Sequence, residues 1–532
     1  MQKIFYDSRV LDERARNLYS LTEDIMMENA AATLEEECLP HILDGRSLYM
    51  NRASVLILTG SGNNGADGFA LARRIACHDI AVFACEVLAP KSPMCLLQKE
   101  RALKSGVTVF GLYELDEFIE KKSFDLRVTV DCIFGSGFHG ELPPEAQAAI
   151  SSLKAREGSD DSFKIACDVP TGIDRDGNIS GAAFNADETV TMGSLKLSLF
   201  SDAAKDMCGT IKKVPLGISE SNFETEECDA FLLDESDMTL PLRKKQNTNK
   251  GSFGHTAVVS GEKPGAAILA SLAAFNFGSG LVSLINPSAS IRSLPFEIMH
   301  ATDFPQNTTC AVLGPGLGKS SGNGGHDDLR ADSEAERGAV HNLNGRTNEN
   351  ADNGAEYLTQ LLEKNIPCVL DADILSDAAL PEFLNSRCST PDSAPLILTP
   401  HPKEFSQLLK VCGFGEYTTA DVLKNKVQLI KDFCNKYKGV ILLVKGANVF
   451  IGYHEKSGSF KLYINTLGTA SLAKGGSGDV LAGMTAALVS QKYPALTAAV
   501  SASLAHAKLG AMHKESFSVT PQKLIDSMEK LQ

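Results

Sequence analysis

The sequence predicts an α/β fold divided into two domains. The chain has 532 residues, and a single hydrophobic core stops growing beyond about 250–300 residues, so more than one domain is expected. Short apolar runs that end in glycine-rich or aspartate-rich turns alternate with helical patterns in both halves. In the first half these runs read SVLILTG, LRVTVDCIFG and FKIACDVPTG, and in the second HTAVVSG, CAVLGPGLG, IPCVLDAD, APLILTPHP and GVILLVKG. Continuous apolar strands between helices are typical of buried parallel strands in βαβ units.

The two domains are predicted to meet between Leu216 and Lys250. There the apolar pattern gives way to the acidic stretch ISESNFETEECDAF and then to the basic stretch LRKKQNTNKG, which is typical of solvated linker surface. We therefore expect a first domain over residues 1–220, a linker over residues 221–249 and a second domain over residues 250–532.

One segment of the second domain breaks the alternation of strands and helices. Residues 319–356 hold almost no large aliphatic side chains. Loops longer than about 12–15 residues are usually either functional or disordered. This composition predicts a mobile insertion rather than an active-site lid.

Composition and charge exclude several classes of function. Asp and Glu number 66 against 51 for Lys and Arg, which gives a net charge of −15. This balance disfavours a general electrostatic hold on nucleic acid or on an anionic membrane. The absence of tryptophan argues against a base-stacking platform. We therefore expect small-molecule partners, with any anion held locally by backbone N–H groups at helix N-termini.

Cysteine usage and the N-terminal segment predict a cytoplasmic protein. The 13 cysteines are scattered without a CxxC pair, which disfavours a disulfide framework or a zinc site. The opening segment MQKIFYDSRVLDERARNLYS is charged throughout, so no signal peptide is expected. No apolar run approaches the roughly 20 residues that span a bilayer. The sequence does not decide whether the chain forms a homo-oligomer.

The first motif that carries chemistry follows the first of these strands. Residues 60–68 read GSGNNGADG, and a helical pattern begins at Phe69. The glycines satisfy the GxGxxG pattern of dinucleotide-binding folds, although that signal alone is weak. An ordinary dinucleotide turn does not need Asn63, Asn64 and Asp67, whose oxygens and N–H groups suit a polar ligand or a cation together with a phosphate.

Two other strand ends in the first half carry acidic turns. Asp131 ends LRVTVD shortly before GSGFHG, and Asp168 ends FKIACD before VPTG, which contains Thr171. Since ligands bind at the carboxyl ends of strands in open α/β sheets, these residues and Asn64 are expected to converge. The alternative is that each Asp only caps the turn that follows it. Three oxygen-rich turns at three strand ends favour a site.

These motifs resemble the NAD(P)H-hydrate epimerase family over roughly residues 1–220. The resemblance is carried by MENA at 27–30, NNGADG at 63–68, the turns after Asp131 and Asp168, and GSLK at 193–196. It implies a Rossmann-like three-layer αβα domain that interconverts the R and S epimers of hydrated NADH or NADPH (NADHX and NADPHX). Asp168 would be the acid–base residue and Lys196 its polar catalytic partner.

The same resemblance implies a ligand set for this domain. A potassium ion would lie near Asn64, Asp131 and Thr171, whose oxygens suit a hard cation. The residues implied to bind the substrate are Asn63, Asn64, Gly65, Ala66, Asp67, Gly135, Ser136, Gly137, Phe138, His139, Gly140, Glu141 and Asp168.

The second half carries a glycine-rich motif, KGGSGDVLAG, at residues 474–483. The apolar run after Asp479 predicts a helix, so the backbone N–H groups from Gly476 to Gly478 would form an anion hole for a phosphate. Asp479 is placed to take a proton from a hydroxyl group that attacks this phosphate. A plain glycine-rich turn is the alternative, but the density of GGSGD followed by LAG favours the catalytic interpretation.

This motif resembles the ribokinase-like superfamily, and further motifs narrow the resemblance to the NAD(P)H-hydrate dehydratase family over roughly residues 240–532. In order, they are KGSFG at 250–254, PGAA at 264–267, GPGLG at 314–318, DAD at 371–373, TPHP at 399–402 and VKGA at 444–447. The implied substrate contacts are Ala267, Gly316, Gly318, His401 and Asp479. The implied nucleotide contacts are Lys445, Gly446, Ala447, Asn448, Val449, Gly476, Ser477 and Gly478. From the residues alone, His401 could be a rigid turn residue beside two prolines, and Lys445 could simply extend to solvent.

The whole chain therefore resembles an epimerase fused to a dehydratase. The epimerase would interconvert the two forms of the hydrate, and the dehydratase would return the S form to NADH or NADPH. ADP would donate a phosphoryl group to the ring hydroxyl, giving AMP and phosphate, with Mg²⁺ on the nucleotide phosphates. ADP rather than ATP is implied by the fused architecture and not by any residue. The alternative is a ribokinase-like small-molecule kinase fused to a non-catalytic Rossmann-like binding module.

Overall fold

The computed structural model describes residues 1–43, 53–120, 125–155, 162–225, 227–286, 294–318 and 353–531. The chain forms two compact units, residues 1–232 and residues 233–532. The change of unit falls within residues 221–249, and part of that stretch has regular secondary structure. The insertion predicted at residues 319–356 lies outside the described residues, apart from residues 353–356, which begin a helix.

The first unit alternates strands and helices. Its strands are β1 (Gln2–Phe5), β2 (Ala53–Thr59), β3 (Ala81–Glu86), β4 (Thr108–Gly111), β5 (Asp125–Cys132), β6 (Phe163–Cys167), β7 (Glu188–Met192), β8 (Leu195–Lys196), β9 (Thr210–Val214) and β10 (Ala230–Leu232). Its helices are α1 (Arg9–Tyr19), α2 (Glu23–Leu43), α3 (Asn63–Ala76), α4 (Pro93–Lys104), α5 (Leu115–Glu120), α6 (Pro144–Lys154) and α7 (Glu220–Phe223).

A seven-stranded sheet in the order β4-β3-β2-β5-β6-β7-β9 organises this unit. All its strand pairs are parallel. In this order β5 lies between β2 and β6, with Leu58 opposite Asp131 and Asp131 opposite Ala166. The three oxygen-rich turns predicted from the sequence therefore leave the sheet at the same edge.

The continuous apolar run of β2 follows from burial on both faces. Every residue of β2 is buried. Val55 and Ile57 belong to one apolar cluster with residues of α2 and α3. Leu56 and Leu58 belong to a second cluster with residues of α6. Because successive side chains point to opposite faces, a strand covered on both sides needs no polar alternation.

The second unit repeats this architecture with a larger sheet. Its strands are β11 (His255–Val259), β12 (Leu281–Ile285), β13 (Met299–Ala301), β14 (Cys310–Leu313), β15 (Cys368–Leu370), β16 (Leu396–Leu398), β17 (Val440–Val444), β18 (Val449–His454) and β19 (Phe460–Asn465). Its helices are α8 (Pro264–Asn276), α9 (Asn353–Glu363), α10 (Leu380–Ser389), α11 (Pro402–Val411), α12 (Thr419–Lys424), α13 (Lys426–Lys436), α14 (Ser477–Ser490), α15 (Ala495–Ala511) and α16 (Pro521–Asp526).

The strands of this unit follow the order β13-β12-β11-β14-β15-β16-β17-β18-β19. The pairs from β13 to β17 are parallel, whereas β18 and β19 add an antiparallel hairpin at one edge. Most residues of α14 and α15 are buried, as expected for helices that are apolar on all sides. Among the described residues, no helix combines the length and the apolar character needed to cross a membrane.

Candidate active sites

The first unit has a cleft of ≈ 760 Å³ beside the ends of β2, β5 and β6. The predicted residues that line it are Asn63, Asn64, Asp67, Gly135, Ser136, Gly137, Phe138, His139, Glu141, Asp168 and Lys196. Gly65 and Ala66 are instead buried within α3, and Gly140 does not line the cleft. The structure therefore brings most of the predicted epimerase residues to one surface.

The NNGADG motif is the first part of a helix. The sequence predicted a helix from Phe69, but α3 begins at Asn63, with Gly62 as its N-cap. A Cβ at Gly65 would lie only 2.1 Å from the carbonyl oxygen of Gly60, so the start of the helix can pack on the preceding turn only with glycine here. The prediction of the helix start was wrong because asparagine and glycine are also typical of turns.

Asp168 lies at the end of β6 in a strained backbone conformation. Its φ is 71°, in the left-handed region that non-glycine residues rarely adopt. Such strain costs about 1–3 kcal/mol and tends to occur at functional sites. Its Oδ1 lies 2.6 Å from Lys196 Nζ, and its Oδ2 accepts a hydrogen bond of 2.9 Å from the Ser136 N–H.

These contacts keep Asp168 ionised. Burial by itself would raise the pKa of Asp168, but Lys196 and the Ser136 N–H outweigh burial, so this pKa lies below its usual value. The Lys196 side chain is 3% exposed and donates a second hydrogen bond of 2.5 Å to the Met192 carbonyl. Asp168 is therefore a carboxylate that is fixed in position by Lys196 and the Ser136 N–H and can accept a proton within the cleft.

Of the three residues implied to hold potassium, Asp131 and Thr171 are buried and hydrogen-bonded to each other, whereas Asn64 lines the cleft. Asp131 Oδ1 accepts a hydrogen bond of 2.7 Å from Thr171 Oγ1, and Asp131 Oδ2 accepts one of 2.7 Å from the Thr171 N–H. Burial raises the pKa of Asp131 to about 6, although its hydrogen bonds lower it. Among the described residues, no basic side chain forms an ion pair with Asp131. The Asn64 amide nitrogen is buried without a hydrogen-bond partner in the described part of the chain.

Sequence reasoning missed the wall of this cleft that α1 supplies. Asp12 and Arg16 line the cleft from α1, and Glu23 lines it from the start of α2. The sequence held only a weak signal for this wall, namely that Asp12 lies beside Leu11 and Ala15, the buried residues of α1. Only the tertiary fold shows that this side of α1 faces Asp168.

In the second unit, the GGSGD motif forms the N-terminus of α14. Gly476 is the N-cap with φ 91°, and a Cβ there would lie 2.6 Å from Pro521 Cγ. The Ser477 N–H donates to the Lys474 carbonyl, so it is not free for a ligand as predicted. Within the described residues, the N–H groups of Gly478 and Asp479 have no backbone acceptor. The Gly476 N–H likewise has no backbone acceptor in the described part of the chain, so of the predicted set from Gly476 to Gly478 only the Ser477 N–H is engaged by the backbone.

Asp479 faces a compact charged cluster. Burial and the nearby Asp371 raise the pKa of Asp479 to about 6, while Lys445 opposes the shift. Lys445 Nζ lies 2.9 Å from Asp371 Oδ1 and 3.7 Å from Glu404 Oε2. A Cβ at Gly478 would lie 3.1 Å from Lys445 Nζ. The lysine therefore points toward the helix N-terminus, and Glu404 is a site residue that the sequence analysis did not identify.

His401 is an N-cap, as the plainer interpretation expected, and it also lies beside the charged cluster. Its Nδ1 accepts hydrogen bonds from the N–H groups of Lys403 and Glu404 at 3.2 and 3.3 Å. Its Nε2 therefore carries the proton and lies 3.1 Å from Glu404 Oε1. Burial and the neighbouring Lys445 lower the pKa of His401. Its side chain is 47% exposed, which leaves one side open to a ligand.

The remaining predicted residues of this unit fall into three places. Gly316 and Gly318 follow β14, and the Gly318 N–H donates to Asp373 Oδ2 at 3.0 Å. Residues 445–448 connect β17 to β18, which begins at Val449, and include the buried Asn448. Ala267 is fully buried in α8, so its side chain presents no surface to a ligand in this structure.

The fold and the two sites define a class of protein. Each unit is an α/β domain with polar side chains at the carboxyl ends of parallel strands, where small molecules bind in such folds. One unit has a cleft lined by the paired Asp168 and Lys196, and the other has a helix N-terminus beside a lysine and a carboxylate. The chain is thus a two-site enzyme of small-molecule metabolism.

Comparison with known proteins gives the family. Residues 23–198 match the family model described as YjeF-related protein N-terminus, and residues 344–530 match the model described as NAD(P)H-hydrate dehydratase. The bifunctional NAD(P)H-hydrate repair enzyme Nnr of Helicobacter pylori is 38% identical over 533 residues, with 100% of both chains covered. That of Coxiella burnetii is 30% identical and covers 84% of this chain and 82% of its own. The chain belongs to the family of bifunctional NAD(P)H-hydrate repair enzymes.

A solved structure is also similar to part of the chain. The ADP/ATP-dependent NAD(P)H-hydrate dehydratase of Bacillus subtilis, co-crystallised with ATP and Mg²⁺, is 21% identical with a TM-score of 0.41. It covers 55% of this chain and 93% of its own.

Family membership confirms the predicted fold class and activity. The first unit is an α/β domain that carries the match to the YjeF-related N-terminal model, and the second is an α/β domain that carries the match to the NAD(P)H-hydrate dehydratase model. The protein is an NAD(P)H-hydrate epimerase and an NAD(P)H-hydrate dehydratase in one chain. This sets aside the kinase fused to a binding module.

Proposed function

We propose that Asp168 is the proton acceptor of epimerisation and that Lys196 holds it in the ionised form. The observation that supports this assignment is the 2.6 Å contact between the two side chains in the wall of the cleft. Epimerisation must remove and restore a bond at the hydrated ring carbon, and a positioned base contributes about 10²–10⁴-fold to such a step.

The test compares Asp168→Asn with Asp116→Asn, which makes the same chemical change at an exposed position of α5. Conversion of R-NADHX to the S form is followed by chromatography, without nucleotide, so that dehydration cannot contribute. We expect D168N to lose about 10²–10⁴-fold in kcat and to keep dehydration of S-NADHX, while D116N keeps both activities. An active D168N variant would assign the base to another residue.

For the second unit, we propose that Asp479 takes the proton of the ring hydroxyl as this oxygen attacks the terminal phosphate of the nucleotide. The N–H groups of Gly478 and Asp479 and the Lys445 ammonium would stabilise the charge of the transferred group. The phosphate then leaves with the electrons of its carbon–oxygen bond, and the neighbouring ring carbon loses a proton, which restores the double bond. Phosphate leaves far more readily than hydroxide, which is the purpose of the transfer.

We further propose that the donor is ADP, which gives AMP and phosphate, and that Mg²⁺ accompanies it. The choice of ADP is supported by the full-length similarity to bifunctional relatives and by no particular residue. The oxygens of Asp371 and Glu404, which lie within 4 Å of Lys445 Nζ, are the ligand type that Mg²⁺ prefers, and within the described residues no group of three such side chains is placed to hold the ion without the nucleotide. When bound, the ion would neutralise charge on the phosphates.

Purified protein with S-NADHX and Mg²⁺ tests the donor. We expect recovery of reduced-nicotinamide absorbance with ADP, together with stoichiometric AMP and phosphate. Recovery only with ATP would overturn the choice of donor. A phosphorylated hydrate that accumulates without recovery would overturn the elimination step.

For the first unit, we propose a K⁺ site at Asn64, Asp131 and Thr171. The support is the buried Asp131 carboxylate, which has no basic partner among the described residues, and its hydroxyl neighbour at 2.7 Å. A bound cation would compensate this buried charge. Epimerisation is expected to increase with K⁺ in an otherwise potassium-free buffer, and Asp131→Asn to remove this dependence. Equal rates with and without K⁺ would contradict the site.

We also propose a cytoplasmic location for this chain. The support is that all 13 cysteines are free thiols and most are buried, which suits a reducing compartment. A fluorescent fusion in the native host would test the location.

A further inference from the structure

Epimerisation of a ring hydrate needs two proton-transfer groups. The hydroxyl group leaves a carbon bonded to the ring nitrogen, and water returns on the opposite face. Departure needs a proton donor, because hydroxide is a poor leaving group, and the return of water needs an acceptor. In the proposed function Asp168 is the acceptor. Because Lys196 and the Ser136 N–H hold it as a carboxylate, it is poorly suited to donate.

Asp12 is placed to be the missing donor. It lines the same cleft from α1, on a different element from Asp168. Within the described residues, its carboxyl group forms no hydrogen bond or ion pair, so its proton is available to a ligand. Burial raises the pKa of Asp12 to about 6, with a smaller opposing effect of Lys196 and a reinforcing effect of Asp168. A group that titrates near neutral pH is the most effective proton donor at that pH.

The other charged groups around Asp12 do not take this role. Arg16, on the same helix, lowers the pKa of Asp12, whereas Asp7, which precedes that helix, raises it. Asp67 shares the cleft from α3, but burial and Asp168 raise its pKa well above the ordinary value. Asp67 therefore holds its proton more tightly than Asp12 does, which makes it the weaker proton donor of the two. Two carboxyl groups whose environments shift their pKa values in opposite directions are typical of an acid and a base in one site.

We propose that Asp12 is the proton donor of the epimerase site, acting from the α1 wall of the cleft while Asp168 accepts. The carbon–oxygen bond of the hydrate breaks, the lone pair of the ring nitrogen forms a double bond to that carbon, and the Asp12 proton leaves with the hydroxyl as water. Water then attacks the other face of the carbon, its extra proton passes to Asp168, and the double-bond electrons return to nitrogen. A proton from Asp168 returns to Asp12 through water in the cleft, which resets the site.

Three variants test this proposal: Asp12→Asn, Asp12→Glu and the exposed control Asp116→Asn. R-to-S conversion of NADHX is measured across pH without nucleotide, in water labelled with heavy oxygen. In the wild type, kcat/KM is expected to fall as pH rises above about 6, because Asp12 loses its proton, and each turnover should place heavy oxygen in the hydroxyl group. D12N is expected to lose about 10²–10⁴-fold in kcat with little change in KM, and to lack the fall at high pH. D12E should recover part of the activity.

The controls separate catalysis from folding. Thermal unfolding and dehydration of S-NADHX should match the wild type in D12N and D116N. If D12N unfolds, the wild-type protein still tests the proposal: its pH profile tests the proton donor, and its heavy-oxygen incorporation tests the cleavage of the carbon–oxygen bond. A D12N variant with near wild-type activity, or one that keeps the fall at high pH, overturns the role of Asp12. Epimerisation without heavy-oxygen incorporation would show that the carbon–oxygen bond of the hydrate is not cleaved. Full activity in D168N would instead refute the assignment of Asp168 as the acceptor. The D12N result would then still test Asp12 as the donor.

Discussion

Replacement of Lys196 by methionine is expected to destabilise the first unit by about 3–5 kcal/mol at neutral pH, the usual cost of removing one partner from a buried ion pair. Lys196 and Asp168 are 3% and 13% exposed in their side chains and lie 2.6 Å apart. Methionine keeps most of the aliphatic volume, so the loss is mainly electrostatic. For a domain of this size, about 2–4 °C of Tm corresponds to 1 kcal/mol, so the shift should be about 6–20 °C.

The pH dependence gives this prediction a definite sign. In the wild type the folded pKa of Asp168 is lowered below 3.8, so the pair stabilises the fold above that pH and its contribution is lost as pH falls through the folded pKa. Without Lys196, burial should raise the pKa of Asp168 above its unfolded value. The deficit of the variant should therefore grow as pH rises from about 4 to about 7.

Urea unfolding followed by circular dichroism measures this deficit, since the chain has no tryptophan to report it. Dehydration of S-NADHX reports whether the second unit remains folded. The matched control is Lys104→Met, because Lys104 pairs with Glu100 on the surface, where such pairs contribute about 0.3–0.5 kcal/mol. If K196M costs no more than K104M, or if its deficit does not vary with pH, the electrostatic account of Asp168 is refuted.

Three further predictions concern the dehydratase site. Gly476→Ala should lower dehydration and leave epimerisation unchanged, because φ 91° and a Cβ 2.6 Å from Pro521 distort the N-terminus of α14; unchanged dehydration would contradict this. Dehydration should increase as pH rises through about 6, where Asp479 ionises, and Asp479→Asn should be about 10²–10⁴-fold slower without this rise; a persistent rise would implicate another base. His506→Leu should destabilise the second unit by about 1–3 kcal/mol, since His506 Nε2 lies 3.0 Å from Ser477 Oγ; calorimetry measures this, and an unchanged melting temperature would contradict it.

The sequence predicts the fold well where a strand is buried on both faces. The run of β2 could be recognised because no polar residue interrupts its centre, and Asp131, near the end of β5, and Asp168, directly after β6, marked the ends of strands. Since parallel strands share one edge, the convergence of Asp131, Asp168 and Thr171 followed without knowledge of the strand order.

Features that depend on tertiary contacts could not be predicted in this way. The start of α3 at Asn63 depends on the packing of Gly65 against Gly60, which no local pattern reveals. Asp12 is distant in sequence from Asp168, and only the fold brings α1 to the cleft. Glu404 was likewise not identified from the sequence, and the structure places it 3.7 Å from Lys445. The predicted insertion at 319–356 lies almost wholly outside the described residues.

The central claim is that one chain carries out both steps of the repair through these residues. The most direct measurement gives purified protein an R/S mixture of NADHX with ADP, Mg²⁺ and K⁺ and follows the absorbance of reduced nicotinamide to its end point. The account predicts complete recovery, faster than spontaneous epimerisation, and recovery in D168N that stops early at the S fraction. Recovery that stops at the S fraction in the wild type, or that reaches completion equally fast in D168N, would contradict it.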